Sequence, residues 1–375
     1  MSSDTSDHLP DERRQLILSL LADQNSLRVT DLAERLGVTP VTIRRDLQLL
    51  SDRGAVKRVH GGVTLRNQTP RTHASARPKT VGVSRANAPD SAAPVIGMVV
   101  PSLDYYWPSV ARGAKDQATR RGMRLNLRES AYKSAEQDRK QIEHLVQHAG
   151  AKGLILTVDV RDLETLDLIQ NLVNQGIPVV LVERKSSLPI DGTPVESVTT
   201  DHRSGAVLAV RTLTEMGHER IGMVCPSDSP TSPHLREGWE EACRDRGISP
   251  EATLNELIDN STPELLLEET NRVLDLCLDH GVTALLVHAD PEANMMLQVA
   301  QQHGLEVPGD LSIMAYDDAV ASLFTPALSA VRPPRYTIGE TAVDLIVSRL
   351  ADPGRPIQRV ILSPRLTIRE STQSR

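Results

Sequence analysis

Polar donor side chains share one face of a helical pattern in the stretch "TPVTIRRDLQLL". Helical spacing places Arg44, Arg45 and Gln48 on the side opposite the apolar Ile43 and Leu47. In the major groove of DNA, arginine donates bidentately to guanine and glutamine pairs in the same way with adenine. The pattern therefore predicts a helix that can contact base edges. The alternative is a solvated helix with ordinary surface arginines.

A basic hairpin is predicted directly after this helix. The segment "AVKRVHGGVTL" has short strand-like halves on either side of Gly61-Gly62, a dipeptide suited to a tight turn. Lys57, Arg58 and His60 would then be available for phosphate contacts or for a minor groove.

The elements that must hold the base-reading helix come before it in the chain. "DERRQLILSLLAD" has its apolar residues on one helical face, and "SLRV" after it is a short strand candidate. Thr30 is a suitable N-cap for "DLAERLGV", and Gly37 permits a tight turn. Thr39 can cap the base-reading helix, with Pro40 in its first turn. Together these elements predict a winged helix-turn-helix over residues 10–66.

Three aromatic side chains in a row form a second group of candidate binding residues. The chain has only one Phe, five Tyr and two Trp, yet Tyr105, Tyr106 and Trp107 are consecutive and follow the apolar run "VIGMVV". Ligands of open α/β sheets bind at the carboxyl ends of strands, and an aromatic face can cover the apolar side of a sugar ring. We expect at least one of the three to contact a ligand, with core packing as the alternative. Tyr132 follows the second strand candidate and is a further candidate.

Alternating short apolar and longer amphipathic segments begin at Pro94. The strand candidates are "VIGMVV", "MRLNL", "GLILTV", "PVVLVE", "RIGMVC", "TALLVH" and "LSIMAY". Strands that alternate with helices at this spacing predict an α/β fold with parallel sheets covered by helices.

Charge divides the chain in the same place. Residues 1–93 contain 14 Lys and Arg against 10 Asp and Glu, a net charge of +4, whereas the other 282 residues contain 28 against 39, a net charge of −11. A basic end is expected where only that end meets a polyanion. Residues 67–93 contain almost no large apolar side chains and are predicted to be a flexible linker. The predicted domains are therefore 1–66, the linker 67–93, and 94–375.

The N-terminal segment resembles the DNA-binding domain of DeoR-type bacterial transcription regulators. The similarity covers about residues 11–66 and rests on "TIRRDL" in the base-reading helix and "RVHGG" in the wing. It implies that Thr42, Arg44, Arg45 and Gln48 approach bases or phosphates of double-stranded DNA.

The segment from residue 94 to about 372 is similar to the effector-binding domain of LacI/GalR regulators, which itself resembles periplasmic sugar-binding proteins. The similarity rests on "VTTDHRSGAVLAVRTLTEMGHERIGMV", "GDLSIMAYDD" and "PALSAVRPPRYTIGETAVDLI". It implies two α/β lobes joined by three crossovers around a ligand cleft. Lobe one would comprise about 94–197 and 332–361, and lobe two 198–331 and 362–375.

The same resemblance implies polar partners for a sugar. Arg184 and Asp317 occupy positions that commonly bind a sugar hydroxyl in that family, although a structural salt bridge is the alternative for each.

The chain departs from two frequent family motifs. Where the family has R-x-x-G-F, this chain has "HLREGW", so the arginine is absent, shifted to Arg236 or replaced by His234. Where the family has N-D-x-x-A, this chain has "ADPEA", which leaves only Asp290. These departures favour a larger glycoside or a different pattern of hydrogen bonds over a simple monosaccharide.

No motif predicts catalysis or a cofactor. The sequence has no G-x-S-x-G, P-loop or G-x-G-x-x-G motif, and His144 and His148 lack the third ligand that a metal site needs. The three cysteines, a polar N-terminus and the absence of a long apolar run predict a cytoplasmic protein with reduced thiols and no membrane contact.

These patterns together predict a DNA-binding transcription regulator that represses carbohydrate-utilisation genes. A sugar or glycoside would bind in the cleft, and a homodimer would bind an inverted-repeat operator. The alternatives are the same architecture with a nucleobase or nucleoside as effector and, with less support, a solute-binding protein.

Overall fold

The computed structural model describes residues 93–103, 105–130 and 134–375, and parts of the N-terminal segment, namely 26–28, 32–33, 38, 42–43, 45, 47, 56–59 and 62–65. The predicted linker, except for Ala93, lies outside the described residues. The chain divides into two compact units, Met1–Arg85 and Ala86–Arg375.

The N-terminal unit contains a three-stranded antiparallel sheet. Its strands are β1 (Ser26–Arg28), β2 (Val56–Val59) and β3 (Gly62–Leu65), in the order β1-β3-β2. The predicted short strand and the predicted hairpin are thus confirmed. Val59 pairs with Gly62, so Gly62 is the first residue of the returning strand rather than part of the turn.

The described helical residues of this unit support the predicted division of faces. Ile43 and Leu47 are buried, and so are Leu32 and Ala33 of the preceding helical segment. Arg45 is exposed on the same helical stretch. Apolar side chains therefore hold this stretch in place while an arginine faces solvent.

Two six-stranded sheets form the second unit. In chain order the strands are β4 (Val95–Val100), β5 (Arg124–Glu129), β6 (Ala151–Leu156), β7 (Val179–Val182), β8 (Glu196–Thr200), β9 (Ile221–Pro226), β10 (Thr253–Ile258), β11 (Ala284–His288), β12 (Ser312–Tyr316), β13 (Ser329–Arg332), β14 (Arg359–Leu362) and β15 (Arg365–Thr367). Lobe one has the all-parallel order β14-β8-β7-β6-β4-β5. Lobe two has the order β10-β9-β11-β12-β13-β15, and only β15 runs antiparallel to its neighbour.

Helices cover both sheets. In chain order they are α1 (Trp107–Arg120), α2 (Ala135–Gln147), α3 (Leu163–Asn174), α4 (His202–Glu215), α5 (Ser232–Asp245), α6 (Pro263–Asp279), α7 (Asp290–Gln302) and α8 (Arg335–Ala351). All six residues of β4 and of β9 are buried, as expected for strands covered on both faces. The predicted α/β fold with parallel sheets and two lobes is confirmed.

The chain crosses between the lobes three times, after β8, after β13 and after β14. The predicted lobe boundaries at 197, 331 and 361 fall inside these strands rather than in the connections. The strands continue their sheet pairing for one to three residues beyond the predicted points, so each crossing lies at the carboxyl end of the strand. These connections therefore reach the edge of the sheets where ligands of α/β proteins bind.

The backbones of α1 and α8 approach each other closely. This contact fixes the start of both helices near the carboxyl ends of the strands. A Cβ atom on Gly113 would lie 2.0 Å from the carbonyl oxygen of Tyr336, and one on Gly339 would lie 2.0 Å from that of Val110. Only glycine permits backbones to approach so closely. The residues at the N-terminal ends of these helices are thereby held at defined positions.

Candidate functional site

The carboxyl ends of the strands of both lobes contribute side chains to one cleft. Tyr105 precedes α1 in lobe one, and its hydroxyl accepts a hydrogen bond from the backbone N–H of Asp290 in lobe two, at 3.2 Å. Asp317 follows β12 in lobe two. Burial raises the pKa of Tyr105, and the nearby carboxyl of Asp317 raises it further. The predicted candidates Tyr105 and Asp317 are therefore brought together from opposite lobes.

Asp317 is a buried carboxyl that accepts no hydrogen bond from the residues that the structure describes. Its side chain is 8% exposed, and its nearest ion-pair partner is His288, whose Nε2 lies 3.9 Å from Oδ2. Burial raises the pKa of Asp317 well above its ordinary value, and the negative charge of Asp290 raises it further, whereas Arg335 lowers it. A buried carboxyl without donors is costly, so this group has unused capacity to accept hydrogen bonds.

Two further groups beside Asp317 lack partners within the described part of the chain. They are Nδ1 of His288 and Nη1 of Arg335, both buried. Arg335 is held in place by a hydrogen bond from Nη2 to the carbonyl oxygen of Asp318, at 2.8 Å, and its guanidinium lies 5.5 Å from the centre of the Tyr106 ring. Burial lowers the pKa of His288 to about 3, which keeps its imidazole neutral at physiological pH.

Asp290, a predicted ligand-binding residue, is held by backbone donors of its own lobe. Its carboxylate accepts four backbone N–H bonds, from residues 318 to 321, at 2.6–3.1 Å. These bonds shape the turn that follows Asp317. Three of these bonds go to Oδ2 and one to Oδ1, so Asp290 helps to position Asp317, and its contact with a ligand stays a prediction.

Only one member of the aromatic triplet remains partly exposed. Trp107 begins α1 and packs in the core of lobe one, and its contact with a ligand stays a prediction. Tyr106 is also buried, and its hydroxyl donates to Oε1 of Glu183 at 2.6 Å. Tyr105, just before the helix, is the triplet member left at the cleft.

Glu183 is a buried carboxylate at the cleft that the sequence analysis did not identify. It accepts hydrogen bonds from the hydroxyl of Tyr106 and from both the backbone N–H and the hydroxyl of Thr200, at 2.6–2.9 Å. Nε2 of His202 lies 3.3 Å from its Oε2. Burial alone would raise the pKa of Glu183, but the bond with His202 and the other donors outweigh it and lower the pKa to about 2.

Basic side chains lie on the rim of the cleft. Arg184 donates to the carbonyl oxygen of Glu183 at 2.7 Å. His234 is exposed in the first turn of α5. On the same helix, Nε of Arg236 is buried without a partner in the described residues, and its Nη2 is 4.0 Å from Glu240. These three residues remain candidates for contact with a ligand.

Several predicted residues lie outside the described residues. They are Tyr132 of the cleft and Thr39, Arg44, Gln48 and His60 of the DNA-binding segment. Of the other DNA-binding candidates, Thr42 and Arg45 are helical, and Lys57 and Arg58 lie in β2.

Among the described residues, no group of three or more His, Cys, Asp or Glu side chains could hold a metal ion. The helices in this part of the chain are also too short or too polar to cross a membrane.

Sequence models of two domain families match this chain. That of the DeoR-like helix-turn-helix domain matches residues 13–69. That of the periplasmic binding protein-like domain matches residues 210–372.

Curated relatives are transcription regulators. The HTH-type transcriptional regulator MalR of Streptomyces coelicolor is 27% identical over 286 residues, which cover 75% of this chain and 81% of MalR. The HTH-type transcriptional regulator GalR of Escherichia coli K12 is 29% identical over 284 residues, which cover 74% of this chain and 79% of GalR.

Solved structures share the fold of the second unit. A LacI family transcriptional regulator from Enterococcus faecium with bound ribose has a TM-score of 0.63 at 22% identity, and the match covers 75% of this chain and 99% of that one. A complex of the transcriptional regulator CelR with cellobiose has a TM-score of 0.61 at 22% identity, with coverage of 89% and 91%. The chain is thus similar to a DeoR-like helix-turn-helix domain over residues 13–69 and to a periplasmic binding protein-like domain over residues 210–372, and MalR and GalR, to which it is also similar, are HTH-type transcriptional regulators.

Proposed function

We propose that this chain, which joins a DeoR-like helix-turn-helix domain to a periplasmic-binding-protein-like domain, is a DNA-binding transcription regulator that responds to a sugar or glycoside. The relatives named MalR and GalR are transcription regulators of comparable length, which supports regulation of transcription. Repression of carbohydrate-utilisation genes is the output that we propose. No catalytic role is assigned to the chain.

The observation that carries the sugar assignment is the open carboxyl of Asp317. A buried carboxyl that accepts no donor from the described residues suits a ligand rich in hydroxyl groups, because a hydroxyl can donate to it. Nδ1 of His288 and Nη1 of Arg335 would supply one acceptor and one donor beside it. Tyr105 would cover part of the sugar ring.

A nucleobase is the second candidate, because the partly exposed Tyr105 offers an aromatic face on which a base could stack. Flat bases are typically held by stacking on aromatic faces. In the described part of the cleft, Tyr106 and Trp107 turn away into packed surroundings and leave Tyr105 as the partly exposed member of the triplet. Hydrogen-bonding groups outnumber aromatic faces there, which favours a polyol.

The DNA-binding end would act as a homodimer on an inverted-repeat operator in the cytoplasm. Exposed Arg45, together with Thr42, Arg44 and Gln48, would read bases or phosphates, and the basic wing strand would contact phosphates. The affinities for the effector and for DNA must then change reciprocally, because both would shift the same conformational equilibrium of the protein.

The test measures binding of full-length protein to a selected operator by fluorescence anisotropy, with and without a panel of monosaccharides, disaccharides and nucleosides. A saturable change in operator affinity with a sugar supports the proposal. A response to nucleosides alone would replace the sugar by a nucleobase, and no response to any compound would contradict effector control by either class.

The DNA contacts are tested on the same operator. Arg45→Ala should weaken specific binding by about 1–3 kcal/mol if Arg45 reads a base, whereas Lys57→Ala should reduce the salt slope by about one. Equal losses on operator and random DNA would show that Arg45 contacts phosphate only.

A further inference from the structure

A continuous chain of buried hydrogen bonds crosses from lobe one to lobe two. Tyr106 donates to Oε1 of Glu183 at 2.6 Å, and Oε2 of Glu183 lies 3.3 Å from Nε2 of His202. Nδ1 of His202 lies 2.9 Å from the hydroxyl of Tyr316. Tyr106 and Glu183 belong to lobe one, whereas His202 begins α4 and Tyr316 ends β12 in lobe two.

Each member of this chain has a defined donor or acceptor role. Glu183 accepts on both oxygens, so Nε2 of His202 must donate to it. In the neutral ring, Nδ1 of His202 is then an acceptor for the Tyr316 hydroxyl. Gly205 provides the space for that hydroxyl, because a Cβ there would lie 2.6 Å from it.

Both ends of this chain of hydrogen bonds adjoin residues predicted to contact the ligand. Tyr106 is the neighbour of Tyr105, and Tyr316 is the neighbour of Asp317. We propose that Glu183 and His202 are positioning residues for the effector: through Tyr106 and Tyr316 they set how Tyr105 and Asp317 face each other across the cleft. The proposal rests on the sugar-binding function proposed above.

The physical basis is the cost of breaking the chain at its centre. A rotation of the lobes that separated His202 from Glu183 would leave a buried carboxylate short of one donor and a buried imidazole unpaired. Such groups favour discrete lobe orientations over intermediate ones. The chain therefore limits the cleft geometries in which an effector can meet both lobes.

A double-mutant cycle between the two ends tests the coupling without any ligand. Tyr106→Phe and Tyr316→Phe each remove one hydroxyl, and the two residues share no hydrogen bond. We expect the double variant to differ from the product of the two single effects on the unfolding equilibrium constant by at least about fivefold. Agreement within about twofold is what independent sites give and would overturn the proposal.

A matched cycle pairs Tyr106→Phe with His218→Gln. His218 is also a buried histidine of lobe two, but it contacts Thr283 at 2.9 Å and the carbonyl oxygen of Gln373 at 3.0 Å, outside the chain. We expect this cycle to be additive. Equal coupling in both cycles would show general cooperativity of the lobes and would also overturn the proposal.

A second measurement uses the sugar that alters operator binding by wild-type protein. Glu183→Gln should weaken its binding at least about fivefold, and Glu196→Gln should change it less than about twofold. Glu196 is an equally buried carboxylate of lobe one, paired with Arg349 and Arg355 away from the chain. Equal effects of the two variants would leave Glu183 with a structural role only.

The two proposals fail in different ways. If no sugar binds to the wild-type protein, the proposed function is wrong, and the Tyr106/Tyr316 cycle still decides whether the chain couples the lobes. If a sugar binds but the cycle is additive, only the positioning role is wrong.

Discussion

Two buried carboxyl groups at the same cleft have opposite surroundings. Glu183 accepts hydrogen bonds from Tyr106, Thr200 and His202, and its pKa is lowered to about 2. Asp317 accepts none from the described residues, and burial raises its pKa. In our proposal, Glu183 holds the two lobes in position, whereas Asp317 keeps acceptor capacity for a ligand. Burial alone therefore does not identify a binding residue, whereas unfilled acceptor capacity does.

The Glu183 side of this comparison predicts a specific dependence of stability on pH. Since the pKa of Glu183 is about 2 in the folded protein and 4.5 ordinarily, its ionised form stabilises the fold above pH 4.5 by about 3 kcal/mol. That contribution is lost as the pH falls through 2. Urea unfolding should therefore show that the free energies of unfolding of wild type and Glu183→Gln become more similar from pH 5 to pH 2. A difference in free energy that stays constant over this range would contradict the role given to Glu183.

The variant Asp317→Asn should gain stability in the ligand-free state and bind the sugar more weakly. Asp317→Asn removes a buried carboxyl whose pKa is raised, so it should stabilise the ligand-free protein, and increasingly so as the pH rises above the ordinary value of 3.8. Binding of the sugar should weaken by about 1–3 kcal/mol, because the amide NH2 places a donor where the carboxyl offers an acceptor oxygen to a sugar hydroxyl. Calorimetric titration and urea unfolding at pH 7 measure both effects, and a destabilised variant would mean that Asp317 has protein partners.

The pH dependence of stability tests whether the imidazole of His288, beside Asp317, is neutral in the folded protein. Its pKa is about 3 in the folded protein against 6.5 ordinarily, so the unfolded chain binds the extra proton first as the pH falls. The cost to stability begins below pH 6.5 and should reach about 2 kcal/mol at pH 5. His288→Gln should remove this part of the pH dependence, whereas an unchanged profile would show that His288 is protonated in the folded protein.

Thr200 provides the smallest test. Thr200→Val removes a hydroxyl that donates to Oε1 of Glu183 at 2.6 Å and should cost about 1 kcal/mol of unfolding free energy. Thr157→Val is a matched control, because the hydroxyl of Thr157 is also buried but makes only a long bond of 3.4 Å to a carbonyl oxygen. Equal losses in the two variants would show that Glu183 does not depend on this donor.

Much of the fold was predictable, because the inner strands are continuous apolar runs. All seven predicted strands of the second unit are present, and "VIGMVV" coincides with β4. Strands β8, β10, β13, β14 and β15 were not among the candidates. The reason is visible in β8, where "ESVTT" is polar although every residue is buried. Apolar content thus identified strands with apolar side chains but missed a buried strand with mostly polar side chains.

The site was less predictable, because its contacts join distant parts of the chain. Asp317 and Tyr105 were identified, but the partners of Glu183 come from positions 106, 200 and 202 and meet only through the topology. Consecutive residues at a helix start point in different directions, so Trp107 packs inward while Tyr105 stays partly exposed, a difference that the sequence does not show.

The most direct test of the open-carboxyl account is calorimetric titration of the full-length protein with the sugar that alters operator binding. We predict saturable binding to wild type and to Glu196→Gln with affinities within about twofold, and binding to Asp317→Asn weakened at least about tenfold, because its amide NH2 leaves a sugar hydroxyl without an acceptor. Equal affinity of wild type and Asp317→Asn would contradict the claim that this carboxyl is kept free for the effector.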